Sequence, residues 1–124
     1  MNAEQMRLRT KQFTLRVLRV VAALPDNAQG RVIAYQLMKS GTSVGANYRA
    51  VCRSRSRKDF INKLGVVIEE ADESAYWLEV ICEGQVLDPR LIGPLLTEAN
   101  ELIAIFTTAR KTARSHCPQP KPKG

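Results

Sequence analysis

Five carboxylates crowd one short stretch of this chain: Glu69, Glu70, Asp72, Glu73 and Glu79. Glu69 and Glu73 are four residues apart and share one face of a helix, as a carboxylate pair doing acid/base work would. Such work also needs a nucleophile or an anion hole, and neither accompanies them. A di-metal bundle site would need Glu-x-x-His motifs on facing helices. The sole histidine, His116, lies near the C-terminus, and carboxylates are few in the other helical segments. The expectation is therefore a protein with no catalytic residues, no metal and no cofactor, which is not an enzyme. The acidic stretch then serves as an interface or a solvated face; a hydrolase or metal enzyme built on it is the remaining enzymatic reading.

The second stretch with chemistry runs from Arg49 to Lys63, RAVCRSRSRKDFINK. Its cations Arg49, Arg53, Arg55, Arg57, Lys58 and Lys63 face a single carboxylate, Asp59. Ser56-Arg57-Lys58-Asp59 resembles a capping box with Asp in place of Glu, so a helix should start at about Arg57. Positive charge at a helix N-terminus opposes the helix dipole. Arg55, Arg57 and Lys58 therefore lack an obvious local stabilising role and suit an external anion such as a phosphate backbone. The competing reading pairs them with the acidic stretch of a neighbouring subunit. Arg7, Arg16 and Arg19 are further candidates for the polyanion surface, or else part of a solvated face.

The whole chain carries 124 residues and a net charge of +7. That length suits one domain with a core that needs no disulfide or metal. Charge comes in blocks. Residues 1–63 hold 13 Lys/Arg against 3 Asp/Glu, residues 64–101 hold 1 against 9, and residues 102–124 hold 5 against none. A fold of such blocks offers a basic and an acidic face, fit for a polyanion or for stacking copies acid-to-base. Cys52, Cys82 and Cys117 are odd in number and form no CxxC. With a polar Met1–Lys11 and no membrane-length apolar run, they point to a reduced, cytoplasmic protein with no membrane partner and no small-molecule substrate.

Four amphipathic helices must position these groups. The first, about 4–24, carries the stripe Met6, Phe13, Val17, Val20 and Leu24, with Leu18 and Val21 beside it. The second, about 28–52, carries Ile33, Leu37, Ser40, Val44, Asn47 and Val51. Its small residues Ser40, Gly41, Ser43, Gly45 and Ala46 would let a neighbouring helix approach. Ser40, Ser43, Gly45 and Asn47 are read as helix-packing residues, with a ligand trio of the two serines and the asparagine as the alternative. The third, about 57–83, carries Phe60, Leu64, Val67, Ala71, Ser74, Leu78 and Ile81. Its second face holds Val66, Glu69, Glu73, Tyr76 and Val80, with Trp77 at the rim, and is expected to be an oligomer interface. The fourth, about 89–114, carries Ile92, Leu95, Ala99, Leu102, Phe106 and Ala109, with Pro94 delaying or bending its start. Residues 115–124 are read as a flexible basic tail. Short connections and no strand pattern predict an all-α, antiparallel up-down-up-down four-helix bundle.

Three motifs then carry a resemblance: Ser40-x-x-Ser43-Val44-Gly45-Ala46-Asn47-Tyr48-Arg49, Ser56-Arg57-x-Asp59-Phe60-x-x-Lys63-Leu64-Gly65, and Glu69-Glu70-Ala71-x-Glu73-x-x-Tyr76-Trp77-Leu78. Together they resemble the four-helix-bundle family encoded by intervening sequences of bacterial large-subunit rRNA genes. That family is in turn similar to the accessory variability determinant of diversity-generating retroelements. Ala50 stands where many members carry a glutamate. The resemblance implies a protomer assembling as a ring-like homopentamer, binding of RNA or DNA, a reverse transcriptase as a possible protein partner, and no enzymatic activity.

Overall fold

The computed structural model describes residues 1–116. They form four helices, α1 (Ala3–Ala23), α2 (Ala28–Cys52), α3 (Arg57–Glu83) and α4 (Pro89–Ser115). Each start has a side-chain cap. Asn2 and Gln5 cap α1 reciprocally, Asn27 accepts from the Gly30 amide, and Asp88 accepts from Arg90, with Pro89 as the first residue of α4. Ser56 accepts from the Asp59 amide at 3.0 Å. The carboxylate of Asp59 reaches back one residue further than in a Glu capping box, taking the Arg55 amide at 3.1 Å. Pro94 lies inside α4 without delaying it. The residue before it is Gly93, which has no Cβ to meet the proline ring. Of the expected 115–124 tail, Ser115 belongs to α4 and His116 caps it; residues 117–124 lie outside the described residues.

α3 stops on a left-handed residue that is not its glycine. Gly84 has an ordinary helical φ of −80°, and the left-handed residue is Gln85, at φ 52°. The Gln85 amide donates to the Cys82 carbonyl and the Val86 amide to Ile81, the pairing of a Schellman motif.

The helices make a four-helix bundle in which α1 packs on α2, α2 on α3 and α3 on α4, with a lighter contact between α4 and α1. Phe13, Val17, Leu37, Val44, Leu64, Val67, Leu78, Ile81, Leu102 and Phe106 close the core. Small residues set the α1–α2 approach: Gly41 abuts Val17, and Gly45 abuts Thr10 and Thr14. Thr14 Oγ1 donates across the seam to the Gly41 carbonyl at 3.1 Å. On the other flank of α2, buried Ser74 donates to Ser40 Oγ at 3.0 Å, so each buried hydroxyl has a partner.

Two stripe positions are corrected. Tyr48, not Asn47, occupies the core, stacked on Phe106 with ring centroids 5.5 Å apart. A strict four-three alternation drifts against 3.6 residues per turn, and Val44, Tyr48 and Val51 follow the true helix. Asn47 is half-buried and bonds the Ser43 carbonyl of its own helix. On α1, Thr10 completes the buried stripe, its hydroxyl donating to the Met6 carbonyl, while Leu18 is 39% exposed.

The light α1–α4 seam is fastened by Arg9. Its guanidinium holds Glu98 through two hydrogen bonds of 2.8 and 2.6 Å and Glu101 at 2.8 Å. The Arg9 bond holds the Glu98 carboxyl below its ordinary range, against the opposing effect of burial. A depressed carboxylate stabilises the fold above its unfolded pKa of about 4.3 and loses that contribution as pH falls through the folded value. Glu70 has the opposite sign: burial, then the charges of Glu73 and Glu69, push it up. The difference between wild type and Glu98→Gln removes Glu70 from the comparison. That difference should be about 1–2 kcal/mol at pH 7, start to shrink below about pH 4.3 and close as pH falls through the lower folded value, measured by urea unfolding.

Candidate nucleic-acid interface

Ala46 and Arg49 near the C-terminus of α2 and Arg53, which caps that end, are exposed and form a crest, at steps of three and four along the chain. A groove lies on each side of this crest. The first, about 560 Å³, runs between α1 and α2 and is lined by Arg7, Leu8, Lys11 and Thr14 opposite Thr42, Gly45, Ala46, Arg49 and Arg53. Glu4 is the single carboxylate on its wall. The second, about 450 Å³, lies between α2 and the start of α3 and is lined by Ala46, Arg49, Ala50, Arg53, Arg55 and Lys63. The crest residues belong to both.

Of the basic residues expected to act together, Arg49, Arg53, Arg55 and Lys63 do meet at these grooves. Lys63 is already paired with Asp59, at 2.9 Å. Arg7, Lys11, Arg49, Arg53 and Arg55 form no ion pair among the described residues. Arg57 and Lys58 line neither groove. Arg57 instead donates to the His116 carbonyl at the end of α4. Arg7 joins the first groove, whereas Arg16 faces the α4 side, where its charge acts on Glu98. Arg19 lines neither groove. Lys11 is a groove cation outside the set expected from the sequence. The available signal was its i+4 spacing from Arg7, which places both on one face. Arg7 also acts on the hydroxyl of the buried residue Tyr48, opposing its rise; burial, with Cys52 next in effect, pushes that hydroxyl up to about 12.

Ser40 and Gly45 sit at helix crossings, while Ser43 is satisfied by the Lys39 carbonyl of its own helix. On the outer face of α3, Glu69 and Glu73 are exposed, and Val66 and Tyr76 are 42% and 56% exposed. Val80 and Trp77 are half-buried and packed against the core. Trp77 therefore belongs to the bundle wall, with Tyr76 edge-on to its ring at 5.0 Å. Among the described residues no cluster of three or more His, Cys, Asp or Glu could hold a metal ion, and no helix is long and apolar enough to cross a membrane.

This is a four-helix bundle carrying a cationic crest between two grooves. The chain belongs to the 23S rRNA-intervening sequence protein family, whose sequence model matches residues 5–108. It is similar to a crystal structure of a protein of unknown function from the S23 ribosomal protein family of Bacteroides thetaiotaomicron. The two are 28% identical, with a TM-score of 0.81, over 90% of this chain and 99% of that one. No curated protein matches the chain.

Proposed function

We propose that this chain is a non-enzymatic, cytoplasmic nucleic-acid-binding protein, folded as an antiparallel up-down-up-down bundle and assembled as a ring-like homo-oligomer, with a pentamer as the implied size. The observation that carries the reading is the crest with its grooves, where five cations with no ion-pair partner among the described residues gather on one side of the molecule. Unpaired cations on a concave surface release counterions when they neutralise phosphates, and that release drives binding. The assembly surface would be the outer face of α3, with Val66, Glu69, Glu73 and Tyr76, against the exposed Leu15 and Leu18 of a neighbour's α1. A reverse transcriptase is the protein partner that the family resemblance suggests.

Filter binding to structured RNA and duplex DNA at low salt tests this. Retention is expected for at least one of them, with log affinity falling against log salt with a slope of about −3 to −5 for five phosphate contacts. No retention of either would sink the proposal.

A second reading is favoured by the acidic face of α3: the charges serve subunit assembly alone, and the ring is a scaffold for another protein. Arg55→Glu with Arg57→Glu separates the two. Loss of oligomer mass by light scattering, with no nucleic-acid binding at any stage, selects the scaffold. Survival of the oligomer with loss of binding selects the nucleic-acid reading.

A further inference from the structure

We infer that the nucleic acid is double-helical DNA, straddled by α2: the crest enters the major groove, and each flanking groove receives one phosphate backbone. This rests on the nucleic-acid reading above and names the substrate form that the geometry fits.

The crest is one helix face, and a helix with its side chains is about 10–12 Å across. The major groove of B-DNA is about 12 Å wide and admits a helix. The A-form major groove of duplex RNA is deep and narrow, so side chains cannot read it. A single strand would occupy one groove and leave the other empty. Cations stand on both sides of the crest: Arg7 and Lys11 of α1 on one, Arg55 and Lys63 on the other. That is the placement required to hold two backbones with a helix between them. The crest itself begins with a methyl group, at Ala46, so base edges can come close to the backbone of α2. Arg49 and Arg53, one turn apart, are then directed to the base edges, where guanidinium groups pair with guanine.

Anisotropy titrations of the full chain compare one labelled sequence as duplex DNA, duplex RNA and single-stranded DNA at low salt. Duplex DNA should bind about tenfold more tightly than the other two. Arg7→Gln with Lys11→Gln should lower the salt slope on duplex DNA by roughly 2, and Arg55→Gln with Lys63→Gln by roughly 1, because Asp59 already neutralises Lys63, at about 0.9 per phosphate. Ala46→Phe keeps the charge and blocks close approach, so it should weaken duplex DNA binding by about tenfold. Circular dichroism reports whether this variant stays helical; should it not, the two flank pairs decide. Equal affinity for duplex RNA or the single strand overturns the straddle while leaving nucleic-acid binding intact, as does a flank pair whose removal changes nothing. Failure of all three probes to bind removes both proposals together.

Discussion

Gly30→Ala should lower the melting temperature by roughly 10 °C, although it adds one methyl group to a residue near the start of a helix. A Cβ there would lie 1.8 Å from the Pro25 carbonyl oxygen and 2.9 Å from its carbon. The obstacle is backbone, so no rotamer change relieves it. The α1–α2 connection must move, and two hydrogen bonds go with it: the Asn27 amide bond to that same Pro25 oxygen and the Asn27 side-chain cap on the Gly30 amide. Loss of a cap costs about 0.5–2 kcal/mol, and overpacking a filled site about 1–3. Together they come to roughly 3 kcal/mol, and each kcal/mol shifts a domain of this size by a few degrees. Gly65→Ala is the control. Its Cβ would meet only the Arg110 guanidinium at 3.8 Å, an ordinary contact. In the middle of α3 it should stabilise by about 0.5–1 kcal/mol through reduced chain entropy. Thermal melts of the two variants should therefore move in opposite directions, and a Gly30→Ala melt within two degrees of wild type would refute the steric account.

What the sequence made legible follows the range of the forces involved. Helix starts are local, so Ser56 announced the start of α3, and apolar spacing picked out Leu37, Val67, Leu78 and Phe106 as core. Long-range pairings left no trace. Arg9 and Glu98 are 89 positions apart, and nothing local links them. Arg57 was grouped with the anion-binding cations because its acceptor, the His116 carbonyl, comes from the far end of the chain. Rotation about a helix axis was the other blind spot. A four-three seam cannot separate Asn47 from Tyr48, because the true orientation of α2 is set by Gly41 and Gly45 seating against α1. The same rotation decides which arginines form the crest. The basic segment was visible as composition, but its division into groove cations and others became readable only once α1, α2 and α3 were side by side.

That division yields the second large effect. Arg49→Gln with Arg53→Gln should weaken nucleic-acid binding by about a hundredfold at low salt, roughly tenfold for each guanidinium removed from the crest. The salt slope should fall by less than about 1, because these guanidiniums are directed to base edges while the flanking cations meet the phosphates. These two arginines line both grooves, so no alternative placement of a backbone avoids them. Neither forms an ion pair among the described residues, and both are exposed, so stability should change by less than about 0.5 kcal/mol. The comparison variant is Arg57→Gln with Lys58→Gln, which removes the same charge from the same segment. Arg57 is engaged with the His116 carbonyl and Lys58 lines neither groove, so binding should weaken by less than about threefold. Diffuse attraction to a basic end of the molecule would treat the two pairs alike. A crest that seats between the two backbones would not, because direct contact depends on which cations meet the nucleic acid. Equal weakening in the two double variants, at equal salt, would therefore refute the crest as the contact surface and leave only the net charge of the segment to account for binding.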